Sequence, residues 1–191
     1  MFEQEIKSYL TAKSIPFEDG TKSTSSLDFF LPRQKIYFDA KEKTQPLSMR
    51  NWSEATAARE HLFIIDDLAA RKLLQHAPLS FCLIKDSSLS PSMYYGYSIV
   101  DLLCIPKKRV NRPIEKSVKA LKGKWLLDLR DAAAFEDLAD AMAYILSYEK
   151  KFPSIFSSHI DCWGKYPSEE IKTSGSVRTA VYWKKDSQKH S

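Results

Sequence analysis

Asp28, Asp39 and Lys41 are the residues of this chain whose types and spacing point to chemistry. Asp28 stands in the run Leu27-Asp28-Phe29-Phe30-Leu31, and the other two in Lys35-Ile36-Tyr37-Phe38-Asp39-Ala40-Lys41. Both runs are aromatic and aliphatic, and Pro32-Arg33-Gln34 separates them, so they read as a hairpin whose first strand the proline ends. Side chains alternate along a strand, which places Asp39 and Lys41 on one face and Ile36, Phe38 and Ala40 on the other. Two carboxylates and a lysine inside an apolar sheet are costly unless they pair with one another or hold a cation.

Acid oxygens converging at one point suit Mg²⁺, with Mn²⁺ as a substitute, because these ions prefer hard oxygen ligands and Mg²⁺ keeps several waters. A metal held there polarises a phosphodiester, lowers the pKa of a bound water and stabilises the leaving oxygen. A lysine beside it orients the attacking water or neutralises charge growing on the phosphate. An acid on the first helix can complete the set. Residues 2–13 read as an amphipathic helix with a stripe of Phe2, Ile6, Tyr9, Leu10 and Lys13. Glu3 lies toward the buried side of that helix, and Glu5 is the competing choice. The bland alternative is a surface hairpin in which Asp39 and Lys41 form a same-face ion pair.

The elements that must position these groups follow from the remaining pattern. A polar turn region over 20–26 precedes the hairpin. A helix is expected within 47–60, a short buried strand at 62–65, and a helix over 68–76. That second helix takes Asp66 or Asp67 as its cap, turns Leu68, Leu73 and Leu74 inward, and is closed by Pro78. Ser80 to Lys85, Tyr94 to Ile105 and Lys124 to Leu129 read as strands. Residues 132–150 read as a helix with Phe135, Leu138, Met142, Ile145 and Leu146 at helical spacing. The order is helix, hairpin, then alternating helices and strands, which gives an α/β fold around a mixed β-sheet flanked by helices. The 191 residues suit one domain with an appendage. We divide them into a core over 1–90, a continuation of the same α/β domain over 91–150, and a partly flexible C-terminal extension over 151–191.

In Phe2-Glu3-Gln4-Glu5-Ile6, Leu27-Asp28-Phe29-Phe30-Leu31-Pro32 and Ile36-Tyr37-Phe38-Asp39-Ala40-Lys41, the chain resembles the PD-(D/E)XK, or restriction-endonuclease-like, nuclease superfamily. The D-F-x-L-P phrase followed by acid-x-lysine is most similar to small junction-resolving and mismatch-nicking endonucleases. The resemblance implies a restriction-endonuclease-like core. It also implies Asp28 and Asp39 as metal-binding acids, Lys41 as the catalytic lysine and Glu3 as the first-helix acid. Leu27 replaces the motif proline, and aspartate stands at 39 where glutamate is commoner. The resemblance covers residues 2 to about 85 and says nothing of the rest.

A basic segment over 106–124 is the second feature: Lys107, Lys108, Arg109, Arg112 and Lys116 are its candidate phosphate contacts. Residues Lys119, Lys122 and Lys124 continue it, with Glu115 as its single acid. His159, Asp161 and Cys162 offer three zinc-ligand types without a conventionally spaced fourth, so ordinary surface and core roles are expected. Trp52 and Trp163 could stack on bases, although such residues are mostly core. No Walker A, dinucleotide-binding or nucleophile-elbow pattern occurs, which argues against a nucleotide cofactor. Cys82, Cys104 and Cys162 lack any C-x-x-C pair. With no secretory signal and no run of roughly 18 apolar residues, a reduced cytoplasmic protein without a membrane span is expected.

The expected activity is Mg²⁺-dependent hydrolysis of DNA phosphodiesters by metal-activated water, with a homodimer or partner protein serving the two strands of a duplex. The competing expectation is a catalytically inactive subunit of the same fold that binds DNA or assembles in phage defence or a mobile element. An unrelated α/β interaction protein is the third.

Overall fold

In the computed structural model, the structure describes residues 1–23, 25–113 and 121–148. The candidate contact Lys116, the His159–Cys162 cluster, Trp163 and the extension over 151–191 lie outside the described residues. The fold is mixed α/β. A six-stranded sheet has the order β1 (Glu18–Asp19), β2 (Phe29–Leu31), β3 (Ile36–Lys43), β5 (Ser80–Asp86), β6 (Met93–Ser98), β9 (Ala133–Phe135), and a three-stranded sheet has the order β4 (Leu62–Asp66), β8 (Leu121–Asp128), β7 (Lys108–Pro113).

Helix α1 (Phe2–Ala12) buries Phe2, Ile6 and Leu10 and leads into the short edge strand β1 (Glu18–Asp19). Strands β2 (Phe29–Leu31) and β3 (Ile36–Lys43) form the expected antiparallel hairpin. Strand β3 lies in the interior of the sheet, because β5 (Ser80–Asp86) pairs with it in parallel on the other side. The crossover between them carries β4 (Leu62–Asp66) and α2 (Asp67–Gln75). Strand β6 (Met93–Ser98) then pairs antiparallel with β5.

Register assigns the two faces of the large sheet. Glu42, Lys85 and Tyr94 form one cross-strand row. Glu5 reaches Lys85 at 2.5 Å and the Tyr94 hydroxyl at 2.6 Å, so α1 covers that face. Phe29, Phe38 and Phe81 fill the same face, with Phe29 and Phe38 stacked at 4.8 Å and Phe81 edge-on to Tyr148 at 4.4 Å. Asp39, Lys41 and Lys43 point to the opposite face. There α2 packs through Ser80, whose hydroxyl donates to the Leu73 carbonyl at 2.6 Å.

Four sequence expectations are corrected. Residues 47–60 hold a single 3₁₀ turn (Met49–Asn51) instead of a helix; Leu47, Met49, Trp52 and Ala55 follow an irregular path against Ala57, Leu62 and Leu126. The run from Tyr94 to Ile105 is not one strand. It breaks at Ser98, which forms a capping box with Asp101 and starts α3 (Ile99–Cys104). The segment 132–150 begins with strand β9 (Ala133–Phe135), paired to β6, and only then enters α4 (Leu138–Leu146) behind the Asp137 cap. In α2, Ala70 and Leu73 are buried, whereas Leu68 and Leu74 face outward.

The small sheet adds β7 (Lys108–Pro113) and β8 (Leu121–Asp128). It is fastened to α2 by Asp67, which accepts from Arg109 Nε at 2.9 Å and Trp125 Nε1 at 2.6 Å. Gly123 permits this approach, since a Cβ there would overlap the Asp67 carboxylate. Hydrogen bonding to Arg109 holds the Asp67 carboxyl down from 3.8 to about 2. A depressed native pKa stabilises above the unfolded value and loses that contribution as pH falls through the folded one. In urea melts, Asp67→Asn should therefore be less stable than the parent at about pH 5 and converge with it towards about pH 2. Parallel curves at both pH values would refute the assignment. Among the described residues, no helix is long and apolar enough to cross a membrane.

Candidate active site

Asp28 sits one residue before β2. The ladder pairs Phe29 with Phe38, so Asp28 falls opposite Asp39 just where regular pairing stops. The Asp28 carboxylate accepts the Ala40 N–H at 2.8 Å, replacing the backbone partner that β2 no longer supplies there. That bond aims Asp28 at the same face as Asp39.

Lys41 joins the two acids. Its Nζ lies 2.7 Å from Asp39 Oδ2 and 3.7 Å from Asp28 Oδ2, and it donates to the Ala40 carbonyl at 3.3 Å. The Asp39 side chain is 4% exposed and that of Lys41 is 36% exposed, so the cluster is closed at its floor and open at the lysine. Burial is the largest influence on Asp39 and pushes its carboxyl up to about 6; Lys41 opposes this, and contact with Asp28 adds to it. Lys41 is raised, because the two carboxylates outweigh the burial that acts to lower it. It is thus a cation in this arrangement. With all three groups ionised, the cluster keeps one uncompensated negative charge.

No family model, curated protein or solved structure matches this chain.

The floor contains Cys82 and Tyr97, in the same cross-strand row as Asp39. Burial pushes both the Cys82 thiol and the Tyr97 phenol up, and the phenol donates to the Asp128 carbonyl at 2.5 Å. Burial thus disfavours the anionic form of each, and neither is set up as a nucleophile here.

The first-helix acids are not brought to the cluster. Glu5 is committed to Lys85 and Tyr94 on the far face, and half-buried Glu3 belongs to the helix that covers that same face. The amphipathic stripe locates the side of α1 that is buried, but not the side of the sheet that buries it. Among the described residues, no group of three or more His, Cys, Asp or Glu side chains converges as a metal cage. The donor set is instead two carboxylates. This fits Mg²⁺, which commonly takes one or two protein carboxylates and fills its other positions with water and phosphate oxygen.

The basic segment is largely engaged internally. Arg109 binds Asp67; Arg112 binds Glu54 and the Asn51 carbonyl, both at 2.8 Å, with its guanidinium over Trp52. Lys122 and Lys124 both pair with Asp66, which therefore heads α2 without capping it by its side chain. Lys107 lies over the Trp125 ring at 5.5 Å and donates to the Leu103 carbonyl at 3.0 Å. Lys108 remains exposed.

Sequence reasoning missed a row of rings beside the acids. Phe30 stacks on Tyr37 at 4.2 Å, and Tyr37 on His76 at 3.7 Å. Phe30 lies two residues from Asp28, and Tyr37 two from Asp39. That spacing was the available signal, since it puts rings and acids on one face.

Proposed function

We propose that the chain is a Mg²⁺-dependent DNA endonuclease built on a restriction-endonuclease-like core. The observation that carries this reading is the convergence of Asp28 and Asp39 on Lys41 in one partly buried, net-negative cluster. Asp28 and Asp39 would hold the cation, and the reading leaves Glu3 and Glu5 outside the ligand set.

A cation held by Asp28 and Asp39 would supply an activated water and charge neutralisation at the scissile phosphate. The chain's own residues prepare the place. The Ala40 N–H fixes the rotamer of Asp28, and burial between β2 and β5 fixes Asp39. Lys41 stands at the open side of the cluster, where an arriving phosphodiester brings negative charge to its ammonium. Its ammonium, 2.7 Å from Asp39 and 3.7 Å from Asp28, is placed to orient the phosphate or the attacking water and to stabilise developing charge.

Incubating supercoiled plasmid with the full chain tests this. Nicked or linear product should form with Mg²⁺ or Mn²⁺ and vanish with EDTA. Intact plasmid under all conditions, together with retained DNA binding, would instead establish a non-catalytic DNA-binding module.

A further inference from the structure

The hairpin that carries the acids has three tiers. At its tip, Arg33 and Lys35 are exposed in the turn, and Lys35 adopts a left-handed φ of 56° that turns the chain sharply into β3. Next comes the half-buried pair Phe30 and Tyr37, extended by His76 from the end of α2. Last come Asp28, Asp39 and Lys41. The Phe30–Tyr37 and Asp28–Asp39 tiers share one face and lie about 6–7 Å apart along the strands. This step is comparable to that between successive phosphates of an extended single strand.

We infer that this face of the hairpin is a track for single-stranded DNA, with an unpaired base stacked on Phe30 beside the scissile phosphate. The inference deepens the endonuclease reading above and rests on it.

Ring arrangement fixes the stacking point. Tyr37 is enclosed between Phe30 and His76, so Phe30 ends the row on the side of β1. That side is thin: β1 consists of Glu18 and Asp19, both exposed, and Glu18 is the residue directly opposite Phe30. A base entering there meets a ring face and a carboxylate able to accept from an exocyclic amine. The same carboxylate repels phosphate, so the backbone is directed towards Lys41, with Arg33 and Lys35 exposed beyond the rings at the hairpin tip. Stacking on a ring tolerates any base, because every base has a π-face. A fully paired duplex keeps its base faces covered and cannot use Phe30. The internal pairing of Arg109, Arg112, Lys122 and Lys124 further reduces the cationic surface available for duplex backbone among the described residues.

Fluorescence anisotropy in EDTA tests the inference, using a fluorescein-labelled mixed-sequence single strand and the same strand annealed to its complement. The full-length parent should bind the single strand more tightly than the duplex. Phe30→Leu, which keeps an apolar side chain, should weaken single-strand binding by about 5- to 150-fold, with little change for duplex. Phe30→Trp should restore affinity, and thermal melts should show both variants folded. Unchanged single-strand affinity in Phe30→Leu, or a parent that prefers duplex or binds neither probe, would overturn the track. Metal-dependent plasmid cleavage alongside unchanged Phe30→Leu binding would overturn the track alone. Phe30-dependent single-strand binding without cleavage of any DNA would overturn the endonuclease reading alone.

Discussion

Asp39→Asn should lower Mg²⁺-dependent plasmid cleavage by at least about a thousandfold, the rate equivalent of the several kcal/mol that a well-held cation contributes. Its thermal midpoint at neutral pH should be unchanged or higher. Both expectations come from one geometry. Asp39 is nearly inaccessible, and burial already pushes it towards its neutral form. Asparagine has the same shape, keeps an oxygen for the Lys41 ammonium at the 2.7 Å contact, and removes a desolvated charge. What it cannot supply is the second anionic oxygen ligand. Asp28 retains its Ala40 N–H bond in the variant, so the hairpin keeps its register and DNA binding should persist.

Lys41→Ala should also abolish cleavage, but it is the less clean probe. Removing the ammonium leaves two carboxyl groups in contact with nothing between them, and one of them would take up a proton. Loss of metal affinity and loss of the lysine's own contribution would then be mixed. Plasmid nicking, calorimetry with Mg²⁺ and single-strand binding on Asp39→Asn keep the two apart. Full cleavage by purified Asp39→Asn would remove the carboxylate pair from the reaction.

The hairpin was legible because its signals are local. Alternation along 36–41 assigns faces, and Pro32 marks the end of the first strand. The errors arose where a local pattern admitted two structures. Tyr94 to Ile105 is apolar enough for one long strand, and the Ser98-x-x-Asp101 box that divides it is a short polar signal inside an apolar run. Ala132 to Phe135 extends the helical periodicity of α4 backwards, although Asp137, accepting from the Asp140 N–H at 2.8 Å, marks the true start.

Other features depend on distant partners. Glu3 and Glu5 were rightly placed on an amphipathic helix, but the sheet face that receives it is set by Lys85 and Tyr94, some eighty residues away in sequence. The segment containing Lys107, Arg109 and Arg112 looked like free positive charge because its neutralising acids, Glu54, Asp66 and Asp67, lie in the crossover. A charge count along a segment says nothing about partners brought in by the fold.

Lys43→Met should destabilise the chain by about 3–5 kcal/mol, because it strands a buried carboxylate. Lys43 ends the row Asp39-Lys41-Lys43 and faces Asp86, its register partner on β5, at 2.9 Å; the side chains are 2% and 1% exposed. The ammonium also donates to the Glu60 carbonyl, while Asp86 accepts from the Ser88 N–H at 3.0 Å and hydroxyl at 2.5 Å. Every formal charge there is paired and hydrogen-bonded, the condition under which a buried pair is tolerated and the loss of one member is severe. The pair also bears on the site. A one-residue slip of a strand sends every side chain to the opposite face, and a parallel β3–β5 pairing has no tight turn to fix its register. Holding Lys43 against Asp86 keeps Asp39 and Lys41 on the face where Asp28 meets them. The double variant Lys43→Met with Asp86→Leu, an apolar pair of similar volume, should recover much of the loss in urea melts, so that the double-mutant cycle gives a coupling of several kcal/mol. A cost below about 1 kcal/mol for Lys43→Met alone would show that the pair contributes no more than a surface bridge.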